Sequence, residues 1–276
     1  MAGKRMQGRS KAAYDEVERA TENATPSTPV IYEAVRRLGD EEMARPGTSL
    51  WWSGLAAGLS ISFSLLAEAI LRQHTPEAPW RNLVTSLGYP LGFLMVVLSR
   101  QQLFTETTIT VMLPVMAEPT ARNFGRAGRM WGIVLAANLA GTLFAALFCM
   151  FAPVIDGSLR AAMIEVSREG VMRHDWLETG FRAITSGYLM AAMVWLIPAA
   201  GVTQMHIVAL ISYVIGVGGF AHIVAGSVYA FVLVVAGQLG VLPMIGGFLV
   251  PALVGNVIGG TVLFALISYA QVMKEI

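Results

Sequence analysis

Long hydrophobic stretches fill most of the chain, and two of them are broken by patches that do not look helical. Residues 87–114, LGYPLGFLMVVLSRQQLFTETTITVMLP, start apolar, pass through a polar patch from Arg100 to Thr108, and resume. Residues 211–231, ISYVIGVGGFAHIVAGSVYAF, do the same around Gly216 to His222. Lipid cannot satisfy the backbone groups that such a break exposes, so breaks are expected only where protein or a hydrated cavity surrounds them. Two breaks predict a site.

The remaining pattern predicts six crossings, since about 20 helical residues span about 30 Å of hydrocarbon. They cover residues 50–71, 84–116, 131–152, 180–200, 204–236 and 245–272. The second is too long for one unbroken crossing at ordinary tilt, which independently supports its break. Trp51 and Trp52 mark one interface of the first span, Arg72 and His74 the other. Glu68, late in that span, is read as lying at the external interface and not in the pore. The basic residues Arg122, Arg126 and Arg129 are read as a loop before the third span, and residues 153–179 as an ordered external loop.

Ahead of the first span, residues 1–25 are polar and read as disordered or loosely helical. Thr28 followed by Pro29 predicts a helix start. Val30, Ile31, Ala34, Val35 and Leu38 then form a stripe opposite Glu33, Arg36 and Arg37, predicting an amphipathic helix on the cytoplasmic surface that ends near Gly39. The chain therefore divides into a cytoplasmic segment, residues 1–48, and a six-span domain, residues 49–276.

Shifting the chain by 118 positions lays Asn138 on Asn256, Gly141 on Gly259 and Phe104 on His222. This predicts an all-α membrane protein of six transmembrane helices in two three-helix repeats. Three being odd, the repeats are inverted, and the second and fifth helices are broken. Asn138 and Asn256 are expected to hydrogen-bond the exposed backbone of the two breaks. Gly54 and Gly58, Ala137 and Gly141, and Gly255 and Gly259 each fall on one helix face and are read as packing positions.

Composition agrees with this reading. Of 276 residues, 55% are hydrophobic and 13% charged, and the mean hydropathy is +0.61, which places the chain in the membrane class. Eight of the 19 Lys and Arg residues precede position 50, putting the N-terminus in the cytoplasm by the positive-inside rule; six crossings return the C-terminus there. The net charge of +1 says little about partners, and no nucleic-acid partner is expected. Cys149 is the single cysteine, so neither a disulfide framework nor a cysteine metal site is expected, and no cofactor or metal is implied. HExxH, Walker A and nucleophile-elbow motifs are missing, which argues against an enzyme.

An isolated histidine in an apolar helix is ordinarily a neutral side chain bonded to a nearby carbonyl or hydroxyl. Inside a break, His222 becomes a pore candidate. Arg100 and Glu106 fall in the other break, where they could form a salt bridge pinning the loop, or leave Arg100 free to draw anions.

At LFTETT (residues 103–108) and GGFAHIVAG (218–226) the chain resembles the formate/nitrite transporter family, more closely its divergent YfdC-type branch. HDWLETGFRAITSGYLMAAMVW (174–195) and GNVIGG (255–260) extend the likeness. The resemblance implies an aquaporin-like homopentamer of small-anion channels in the lipid of the bacterial inner membrane. It implies a central pore histidine at His222, a hydroxyl neighbour at Thr105, and apolar constrictions at Leu103, Phe104 and Phe220. The chain departs from the family pattern at Gln102, Ala221 and Gly226, and ungapped matching puts Gly187 at a pore asparagine and Val171 at a vestibule lysine. The implied function is passage of small monovalent anions or weak acids, formate- or nitrite-like. A neutral small-solute channel is the alternative that the reduced polar lining suggests, and a non-conducting scaffold or sensor the one that the basic N-terminal segment suggests.

Overall fold

The computed structural model describes residues 26–275, and every regular element among them is helical. The polar stretch at residues 1–25 lies outside them. Helix α1 (Thr28–Ala44) takes Ser27, not Thr28, as the residue before its first turn, and carries Pro29 in that turn, where a missing N–H costs nothing. It continues past Gly39, where the sequence suggested an end. Gly39 is a point of close approach: a Cβ there would lie 1.8 Å from the carbonyl oxygen of Thr110. Tyr32, Val35 and Met43 are buried on the inner face, while Arg36 bridges Glu33 and Asp40 on the outer one.

Among the described residues, four helical stretches besides the joined run Trp176–Val217 are long and apolar enough to cross a membrane: α2 (Gly47–His74), α3 (Arg81–Leu98), α5 (Ala121–Phe151) and α10 (Val241–Val272). Between α3 and α5 lies the shorter apolar helix α4 (Phe104–Ala117). The run Trp176–Val217 turns at Gly201, whose φ of 49° suits glycine, and so divides into α7 (Trp176–Ala200) and α8 (Gln204–Val217). The short apolar α9 (Ile223–Val235) follows α8.

Two expectations fail for the same reason: a side-chain cap starts a helix where hydrophobicity shows none. The Thr120 hydroxyl accepts from the Asn123 amide at 3.3 Å, so α5 begins at Ala121 and the supposed basic loop forms its first turns. There Arg126 reaches Asp40 at 3.7 Å and Arg129 donates to the Arg45 carbonyl at 2.7 Å, tying α5 to α1. The supposed loop at 153–179 contains α6 (Gly157–Val171), capped by Asp156, whose carboxylate accepts from Leu159 N–H at 2.8 Å. Each cap is worth about 1 kcal/mol.

Glycine contacts draw the long helices together. Gly58 of α2 and Gly141 of α5 are so close that a Cβ on either would fall 2.9 Å from the other's Cα. A Cβ at Gly187 of α7 would lie 2.4 Å from the Asn256 carbonyl, and one at Gly259 of α10 2.1 Å from the Ile184 carbonyl. Outward, Phe144, Phe148, Phe151 and Phe181 are exposed, the inverse of a soluble protein's surface and what a lipid or subunit neighbour covers.

Candidate functional site

The two breaks are narrower than the sequence suggested, running from Ser99 to Leu103 and from Gly218 to His222. Both close with the same backbone turn. Gln101 N–H bonds the Val96 carbonyl and Phe220 N–H the Ile215 carbonyl, each at 3.0 Å, a six-to-one bond that ends a helix through one left-handed residue. That residue is Gly219 (φ 62°) in one break and Arg100 (φ 53°) in the other. A side chain in this conformation costs about 1 kcal/mol, so Arg100→Gly should raise the midpoint of thermal unfolding by roughly 2–4 °C. A lower midpoint, followed by fluorescence-detected size exclusion, would show that the guanidinium holds the turn.

A carboxamide from a neighbouring helix holds each break open. Asn138 of α5 accepts from Phe104 N–H at 2.9 Å and donates to the carbonyls of Gln102 (2.9 Å) and Gly54 (2.8 Å). Asn256 of α10 accepts from Ile223 N–H at 2.8 Å and shares its two N–H hydrogens among the carbonyls of Ala221 (3.1 Å) and Ala183 (2.8 Å) and the Ser186 hydroxyl (2.8 Å). One amide thus satisfies a carbonyl inside the break and the first N–H after it, groups that would each cost about 1–3 kcal/mol if orphaned. The matching bonds pair Leu103 with His222, a shift of 119 positions. The ungapped expectation pairing Phe104 with His222 is therefore off by one, because the chain from the second break to Asn256 is one residue shorter than that from the first break to Asn138.

The two resumed helices bring His222 and Thr105 together, with His222 Nε2 2.8 Å from Thr105 Oγ1. Both residues are buried. His222 is also the N-cap of α9, its Nδ1 accepting from Ala225 N–H at 3.0 Å. An accepting Nδ1 carries no proton, so the geometry assigns the proton of the neutral ring to Nε2, which donates to the Thr105 oxygen. The Thr105 hydroxyl hydrogen is then available to a third group. Phe93 stands edge-on to the imidazole, its ring centre 5.2 Å away.

A cavity of about 340 Å³ ends at His222, with Phe220 and Ala221 in its wall. Arg173, His174 and Arg182 also line it. Arg182 pairs with Glu178 at 3.0 Å and donates to the Gly218 carbonyl at 3.0 Å, so it braces the second break. Glu68 lies in this cavity too, buried and hydrogen-bonded by the Tyr229 hydroxyl. Its expected place at an interface is thereby corrected: the face of α2 that carries it turns inward, onto α9.

The other sequence candidates are more scattered. Leu103 and Phe104 are buried but outside the lining of this cavity, and Phe104 packs edge-on to Trp131 at 5.8 Å. Arg100 is exposed and forms no ion pair with Glu106 among the described residues, so no salt bridge pins the first break. Glu106 Oε1 is buried and lacks a hydrogen-bond partner among the described residues. Gln102 instead donates to Glu42 of α1 at 3.0 Å, and Thr110 to the same carboxyl at 2.7 Å. Burial pushes the Glu42 carboxyl up, against these two hydrogen bonds that pull it down. Gly187 packs on the Asn256 backbone, and Phe248 stands over Gly226; neither position offers a side chain to the cavity.

The formate/nitrite transporter family matches residues 29–270. Inner membrane protein YfdC of Escherichia coli K12 is 41% identical over 245 residues, covering 89% of this chain and 79% of that protein. Formate channel FocA of Haemophilus influenzae is 26% identical over 240 residues, covering 76% of this chain and 82% of FocA. Among solved structures, a pentameric formate channel with formate bound superposes with a TM-score of 0.70 at 17% identity, covering 83% of this chain and 98% of that one, a likeness of fold. The last two are channels, not enzymes. On the extent of the family match and the identity to YfdC, this chain belongs to the formate/nitrite transporter family.

Proposed function

We propose that the protein passes small monovalent anions or their weak acids across the bacterial inner membrane, assisted by His222. The contact between His222 and Thr105, at the mouths of two interrupted helices and the end of a cavity, carries this reading. α3 with α4 forms one crossing and α8 with α9 another, giving six spans in two inverted halves with both termini cytoplasmic. The N-termini of α4 and α9 offer partial positive charge and N–H donors to an anion, worth about 0.3–1 kcal/mol each at exposed sites and up to ~2 when partly buried. Asn138 and Asn256 keep both ends open, and Leu103, Phe104 and Phe220 exclude hydrated ions. Arg100, exposed beside the first break, draws anions toward it, and Glu106 shapes the same break. The formate channel with the matching fold is pentameric, which favours a homopentamer here, residues 1–48 lying on its cytoplasmic side.

Purified protein in liposomes, challenged with formate, nitrite, acetate, lactate and hydrosulfide, tests this. At least one solute should enter faster than into protein-free vesicles, and His222→Ala should slow that entry roughly tenfold or more. His222→Asn keeps a capping side chain and separates lost chemistry from a lost cap. Equal entry with and without protein for every solute rejects the reading.

A further inference from the structure

The cavity that ends at His222 is lined by a carboxyl that pairs with no cationic side chain among the described residues. Glu68 is 7% exposed and receives one hydrogen bond, from the Tyr229 hydroxyl to Oε2. Its Oε1 has no partner among the described residues, yet it is not among the sealed-off polar atoms, so it faces the cavity. Arg72, one helical turn along α2, is engaged by Glu165 at 2.5 Å and Glu169 at 2.6 Å and does not neutralise Glu68. The other charged or titratable groups lining this cavity are Tyr89, Glu169, Arg173, His174 and Arg182.

We propose that Glu68 is a proton-exchanging specificity residue: it hands its proton to a small monovalent anion before that anion reaches His222. This rests on the reading of the protein as a conduit for such solutes. His222 is poorly placed for the transfer. Its Nδ1 is committed to Ala225 N–H, so gaining a proton there breaks the helix cap. Losing the Nε2 proton would leave an anionic ring.

Arg173, which forms no ion pair among the described residues, draws an anion into the cavity. Further in, an ionised Glu68 repels that anion. The two come together only with a proton between them. The O–H bond of the Glu68 carboxylic acid breaks, a new O–H bond forms on the solute, and the electron pair stays on the Glu68 carboxylate. Water from the cavity mouth then returns a proton to Glu68, so one proton accompanies each anion. The substrate class follows: anions of weak acids, such as formate, acetate and nitrite, can take the proton. Nitrate and chloride cannot.

The test uses the full chain in liposomes with a pH dye inside, after subtraction of uptake by protein-free vesicles. Wild type should take up formate with lumenal acidification, faster as external pH falls, and admit nitrate at least tenfold more slowly, a threshold set below the roughly 100-fold or more that a positioned proton donor contributes. Glu68→Gln keeps the volume and a partner for Tyr229 but carries no exchangeable acid proton. It should lower formate uptake roughly tenfold or more and flatten the pH dependence, whereas Glu68→Asp should retain the slope. A Glu68→Gln variant with wild-type rate and slope overturns the proposal while leaving the proposed function standing. Nitrate entering wild type as fast as formate overturns it as well, without relying on any variant to assemble. Failure of wild type to admit any weak acid removes the functional reading and this inference together.

Discussion

Replacing Asn256 by leucine should prevent the protein from surviving purification at temperatures that wild type tolerates. The amide oxygen accepts from Ile223 N–H, and its two N–H hydrogens are shared among the carbonyls of Ala183 and Ala221 and the Ser186 hydroxyl. Leucine fills nearly the same volume and satisfies none of them. At about 1–3 kcal/mol for the orphaned Ile223 N–H and about 0.5–1.5 kcal/mol for each further hydrogen bond lost, the loss reaches several kcal/mol, a large part of the roughly 5–15 kcal/mol of a typical folded domain. Ser186 also donates to the Ala183 and Ala221 carbonyls, so three of the four groups keep a partner, Ile223 N–H is the one left without, and the cost is less than the full sum. Asn138→Leu should behave alike, because it strips the same pair of groups from the first break. Thermal melting of the detergent-solubilised assembly reads the effect. A shift no larger than that of an ordinary surface change, within about 0.5 kcal/mol, would mean that the amides do not hold the breaks.

Gly259→Val should be comparably damaging through crowding. A Cβ at this position would sit 2.1 Å from the Ile184 carbonyl oxygen and 2.7 Å from the Tyr188 nitrogen. Both are backbone atoms and cannot turn aside, so α7 and α10 must separate by more than an ångström to admit it. Overpacking typically costs about 1–3 kcal/mol when side chains can adjust, and rigid backbone on the far side puts this substitution at the upper end or beyond. Gly132→Ala on α5 is the control, since a Cβ there meets nothing within 4 Å. It should be neutral or stabilise by about 0.5–1 kcal/mol through helix propensity. Equal melting curves for the two variants would remove the packing argument.

How much of this was legible beforehand depends on how far apart the cooperating residues lie in the chain. The breaks could be read because a polar interruption of an apolar run is a local signal, and Asn138 and Asn256 because both sit on long apolar helices at one spacing. The register at the break was misread by one residue, since a single shift cannot hold throughout. The bonded carbonyls of Gly54 and Ala183 are 129 positions apart, the breaks 119 and the amides 118. Glu68 was misplaced because the inward turn of its helix face is decided by Tyr229, 161 residues later. Helix α6 has no long apolar run, so hydrophobicity does not show it, whereas Asp156 is a cap signal that does. Pairing His222 with Thr105 came from resemblance to a family; nothing in either sequence stretch alone brings them together.

The amide clamps also say where the instruction to stay open resides. Residues 96–101 and 215–220 specify only where a helix stops, through a left-handed joint. Which way the chain leaves, and that it does not simply wind on, is decided by a carboxamide on a helix more than thirty positions downstream. A peptide copied from either region and transplanted into a foreign bundle would bring the joint without its keeper, and would be expected to close into a kinked but continuous rod.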